Sequence, residues 1–167
     1  MRLVPLSNDQ WGFETNCFVC EPSNERGLRV PFAHDTERDI VVADLCLADH
    51  LSGAPSWVHG GVVLAVLDEA MAWASIATRH RWAVTKESQA WFDRPVLVDR
   101  AYRVEARIVS GDETSLSAEA SVASVDTGKV SVRARARMSV VTAVQAPGLG
   151  VHLDEHSEGY VRGTDRD

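Results

Sequence analysis

The chain has 167 residues, 45% of them hydrophobic and 25% charged, which is the balance of a folded domain and excludes a disordered or fibrous chain. Seventeen Lys and Arg against 24 Asp and Glu leave a net charge of −7, which argues against a nucleic-acid-binding protein with its basic footprint. Three cysteines are too few, and odd in number, for a disulfide scaffold, and they fit a reducing compartment.

Taken in chain order, the start (MRLVPLSNDQWG) has no apolar run of the kind a signal peptide carries, so a cytoplasmic protein is expected. Residues 1–25 read as an N-terminal arm with Trp11 and Phe13 as its docking points. Cys17 and Cys20 form a C-x-x-C, but no second pair and no H-x3-5-H follows in sequence, so no metal is expected. Gly27–Phe32 reads as a short strand and Asp39–Leu47 as a stronger, β-branched one. His50–Val58 is rich in small and turn-forming residues and reads as a loop. From Val62 to Ala77 there is no Gly or Pro, and the residues are strong helix formers that are apolar nearly all round, the mark of a buried helix. Its longest unbroken apolar run, Val62–Leu67, is far short of the ~20 residues a membrane span needs.

After the helix the period switches to two. Trp82–Phe92, Tyr102–Ile108, Leu116–Val122 and Val130–Val140 alternate apolar with polar residues, and Gly111-Asp112-Glu113 and Asp126-Thr127-Gly128 supply turns. Residues 26–144 thus make one domain, and 145–167 a polar, Gly-rich tail expected to be mobile. The order predicts an α+β fold: an antiparallel curved sheet of about six strands wrapped around one central helix. Such a sheet keeps open edges, so pairing with a second copy is expected.

Two features of the helix suggest chemistry. Asp68 and Glu69 sit within an apolar run, about 100° apart, so they cannot look the same way. Asp68 shares its face with Gly61, Leu64, Ala65, Ala72 and Ser75, mostly small residues that leave room for a ligand. Gly60 and Gly61 open the helix, where backbone N–H groups lack acceptors and can polarise a carbonyl oxygen. An ion pair with Arg, and an ordinary loop-to-helix junction, are the plain structural readings of these two features. Eight residues separate Gly60 from Asp68, about 12 Å of helix, so one small reacting group reaches both only when they come from different subunits.

His59-Gly60-Gly61 followed by Asp68 resembles the signature of hotdog-fold acyl-CoA thioesterases, above all the PaaI-like and 4-hydroxybenzoyl-CoA types. The resemblance runs from Cys17 to Val141 and includes Cys17, Phe18, Cys20, Gly27, Leu28 and the corner at Pro95. It implies Asp68 as nucleophile or general base and the Gly60 N–H as oxyanion donor. It further implies His59 as a residue that shapes the loop, and Thr85 as the holder of the attacking water. Gly53 stands where some relatives carry Asn or Gln, which removes one expected substrate contact.

Gly61, Glu69 and Trp57 complete the expected substrate surroundings. Arg133 and Arg135 are candidates for the phosphates of coenzyme A, or else form a solvated strand face paired with Glu105 or Glu119. The implied substrate is a small or medium acyl-CoA, with no cofactor, in a homodimer or a dimer of dimers. A non-catalytic acyl-CoA-binding domain is the alternative. A hotdog dehydratase or hydratase is a weaker one, because the acid that should follow His50 by fourteen residues is Leu64.

Overall fold

The computed structural model describes residues 2–8, 15–142, 145 and 148. Trp11, Phe13 and the tail from 145 onward, apart from Gln145 and Gly148, lie outside the described residues.

The chain forms β1 (Leu3–Pro5), β2 (Ala33–Asp35), β3 (Ile40–Cys46), β4 (Ser52–Ala54), β5 (Trp57–Val58), α1 (Gly60–Arg79), β6 (Ala83–Phe92), β7 (Ala101–Gly111), β8 (Ser115–Ser124) and β9 (Val130–Val140). Seven strands make one antiparallel sheet in the order β1-β2-β3-β7-β8-β9-β6, and β4 and β5 form a small separate ribbon. The helix packs chiefly on β7 and β8, at the middle of the sheet.

Alternation in the sequence explains this packing. Tyr102, Val104, Ala106 and Ile108 on β7 are buried, as are Leu116, Ala118, Ala120 and Val122 on β8, and Val132, Ala134, Ala136 and Met138 on β9. The alanines pair across the ladder, Ala118 with Ala136 and Ala120 with Ala134. Against the sheet α1 sets Val63, Val66, Leu67, Ala70, Met71, Trp73 and Ala74, all buried. By length and composition α1 could cross a bilayer, but one face of it is buried on the sheet, as in the core helix of a globular domain. Gly111 closes the β7–β8 turn at φ +149°, where a Cβ would lie 2.5 Å from the Ser115 carbonyl oxygen, so only glycine fits.

The architecture expected from sequence is present, with three differences. Gly27–Phe32 is not a strand: the Leu28 and Val30 amides donate instead to the Phe18 and Val19 carbonyls, folding the arm back on itself, and the strand starts at Ala33. The 50–58 loop contains the β4–β5 ribbon and a 3-10 turn at Asp49–Leu51. The helix is not covered all round, because Gly61, Leu64 and Asp68 form an exposed stripe along its N-terminal half.

Candidate active site

The site begins where the ribbon hands the chain to α1. The His59 amide donates to the Leu51 carbonyl (2.8 Å), and His59 then caps the helix with φ −59° and ψ 130°. Its Nδ1 accepts from the Gly61 N–H at 2.9 Å, and its carbonyl accepts from Val62 and Val63. Three of the four N–H groups that open a helix are therefore engaged. The Gly60 N–H has no acceptor among the described residues, at the positive end of the helix dipole.

Of the two glycines on either side of His59, packing demands only the first. A Cβ on Gly53 would meet His59 Cδ2 at 2.9 Å and His59 Cα at 3.0 Å, so the absence of a side chain lets the loop close on the capping histidine. A Cβ on Gly60 would only touch the Phe92 ring at 3.4 Å, an ordinary contact.

Two turns along α1, Asp68 meets β6. The Thr85 hydroxyl donates to Asp68 Oδ1 at 2.6 Å, a charge-assisted bond. The β6–β9 register breaks between Thr85 and Glu87, a bulge of the kind that re-aims a side chain beside a site. Asp68 itself is exposed in the single chain.

Glu69 turns the other way and is the more enclosed of the two carboxylates. One ligand atom from each of Cys17, Cys20 and Glu69 lies within 4.8 Å of the others. Burial pushes the Glu69 carboxyl up to about 7, against the lowering effect of its hydrogen bond with Cys20. The Cys20 thiol donates to Cys17 and, with the backbone N–H groups of Cys20 and Val19, brings the Cys17 thiol down to about 5. Cys20 is pushed up by the same bond and by burial.

The remaining sequence candidates lie elsewhere. Trp57 is half exposed on the ribbon and bridges by its backbone to Leu97. Arg133 pairs with Asp93 at 2.8 Å and Arg135 with Glu119 at 2.9 Å, while both guanidinium groups sit over the Trp91 ring at 5.5 and 5.9 Å. Glu105, considered above as a partner for these arginines, is bound by Arg38 at 2.8 Å.

A curved antiparallel sheet wrapped around a single helix is the hotdog fold. Residues 56–131 match the model of the thioesterase superfamily, a stretch that runs from the ribbon through α1 into β9. No curated protein matches the sequence. Among solved structures, a thioesterase superfamily protein aligns at 22% identity with a TM-score of 0.69, over 80% of this chain and 65% of that one. The chain thus spans just under two thirds of that protein's length. The Streptococcus mutans protein smu.793, bound to acetyl-CoA, aligns at 19% identity and TM-score 0.58, over 62% of this chain and 82% of its own. The Escherichia coli PaaI protein of the phenylacetic acid degradation operon aligns at 16% identity and TM-score 0.57, over 62% and 73%. The resemblance drawn from His59, Gly60, Gly61 and Asp68 is borne out in sequence over residues 56–131 and in fold over the main sheet and helix.

Proposed function

We propose that the protein hydrolyses acyl-CoA thioesters, water and thioester giving a carboxylate and free coenzyme A, in a site shared by two copies. The observation that carries this reading is the Asp68–Thr85 bond of 2.6 Å on an uncovered stripe of α1, with the Gly60 N–H vacant about 12 Å away along the same helix. A thioester carbon cannot touch both groups of one chain, so Asp68 of one protomer works with Gly60 of its partner. The open edge of β6, the exposed Leu64 in the stripe and the exposed Phe92 next to Gly60 favour such a pairing.

The chemistry asks little more of the protein. A thiol leaves with a pKa of ~8.5, so no dedicated acid is required. The Gly60 N–H donates to the carbonyl oxygen as negative charge builds on it. Asp68 either attacks the thioester carbon or takes a proton from an attacking water, while Thr85 fixes the carboxylate orientation and helps seat that water. Acetyl-CoA in the S. mutans protein and the operon of the E. coli protein support an acyl-CoA, with small acyl groups the natural first trials.

Thiol release from a panel of acyl-CoAs tests the proposal. Asp68→Asn is expected to lose activity by roughly 100-fold or more, with the fold and the dimer unchanged. Full turnover in that variant would remove Asp68 from the reaction. One observation favours a second reading, an acyl-CoA-binding domain without catalysis: His59 leaves no space for a polar side chain at Gly53. Saturable binding of acyl-CoA with no thiol released would establish it.

A further inference from the structure

Outside the candidate active site, the C-x-x-C of the N-terminal arm and the second helix carboxylate have no role in the reaction proposed above. The arm turns tightly at Cys17–Cys20, where the Glu21 amide donates to the Cys17 carbonyl at 3.2 Å. The Asn8 amide donates to the Cys20 sulfur at 3.5 Å. A donor aimed at a sulfur offsets part of the negative charge a thiolate ligand carries. Glu69 faces this turn from α1, and Cys17, Cys20 and Glu69 hold their ligand atoms within 4.8 Å of one another. Around a tetrahedral zinc with Zn–S bonds of about 2.3 Å, two sulfurs stand about 3.8 Å apart, which that spacing accommodates.

We propose that Cys17 Sγ, Cys20 Sγ and the Glu69 carboxylate bind one Zn2+ ion, with a water as fourth ligand, pinning the N-terminal arm to α1. Two thiolates with one carboxylate select a borderline-soft ion over Mg2+ or Ca2+, which take oxygen ligands. Cys17 is partly open to solvent, which leaves access for the water. The third ligand comes from 49 residues further on, so the usual second pair in sequence is not needed. The ion would sit one residue from Asp68 along the helix and hold in place the turn that packs there. The proposal stands independently of the thioesterase reading.

The test is metal binding by the full-length reduced chain. Zinc analysis of protein isolated without chelator is expected to give about one ion per chain, retained through gel filtration. Titration of the reduced metal-free chain with Co2+ is expected to saturate at one equivalent, with a thiolate-to-cobalt charge-transfer band and the visible bands of tetrahedral geometry. Cys17→Ser and Cys20→Ser should abolish the charge-transfer band. Glu69→Gln should keep it while weakening cobalt affinity roughly tenfold or more. Near-ultraviolet circular dichroism reports whether each variant is folded, and the wild-type titration decides the matter without them. A reduced wild-type chain that gives no charge-transfer band, a band that survives Cys17→Ser, or a chain isolated metal-free with Cys17 and Cys20 joined as a disulfide would each overturn the proposal.

Discussion

Asp68 and Glu69 are neighbours in the chain with nothing else in common. The helix turns them about 100° apart, one toward Thr85 and an open stripe, the other toward two cysteines. That divergence follows from the sequence alone. Which carboxylate would be enclosed does not, because the enclosing groups come from the arm, about fifty residues earlier. His59 teaches the same lesson: its position was legible as a motif, but its capping of Gly61 depends on a side-chain rotamer and a loop path that no spacing encodes. The result is a division of labour between the glycines, with Gly61 held by His59 and Gly60 left free. If Thr85 acts by orienting Asp68, Thr85→Ala should lower kcat roughly tenfold to a hundredfold and leave KM within about twofold, as steady-state kinetics on a preferred acyl-CoA would show. A change confined to KM would make Thr85 a substrate contact instead.

At the scale of elements, strong periodicity made α1 and the four long strands readable to within a few residues. The three-residue strands β1 and β2 were not, because so short a run carries no period, and pairing with β3 rather than local preference places them. The helix is the element on which the fold turns. Leu67 is fully buried between α1 and the sheet, and Leu67→Ala should cost about 2–5 kcal/mol in denaturant unfolding through lost burial and the cavity left behind.

The β7–β8 turn is held differently, by Asp112. Its carboxylate accepts from the Thr114 amide and hydroxyl, both at 2.8 Å, and from the Ser115 amide at 3.0 Å, which keep its pKa below the ordinary 3.8. The Thr114 amide is the main cause. A depressed carboxylate stabilises the fold above its unfolded value and loses that contribution as pH falls through its lower folded value. Asp112→Ala should therefore melt below wild type at neutral pH, with the gap closing below about pH 4 in thermal scans. A gap that is constant with pH would mean the side chain acts by shape rather than charge.

For the whole molecule, the decisive expectation is that neither chain is complete alone. His59 already has ψ 130°, as a residue before proline requires, and position 60 is the first of the helix, where proline is tolerated. Gly60→Pro thus deletes one N–H with little other change. Alone, Gly60→Pro and Asp68→Asn should each be inactive. Co-refolded in equal amounts, half the dimers are mixed and each has one intact site, so about a quarter of wild-type activity should return. No recovery, with mixed dimers present by native mass spectrometry, would place both groups within one subunit's site.

The two ends of the sheet are unequal. On one side β6 offers ten residues of backbone; on the other β1 offers three, the last of them Pro5, which has no N–H to give. Strands that join through the long end consume it, and the blunt end gives a newcomer little to grip. A pairing through β6, as proposed for the shared site, would therefore leave no long edge on which a further strand could add, and would guard the molecule against running on into a fibre.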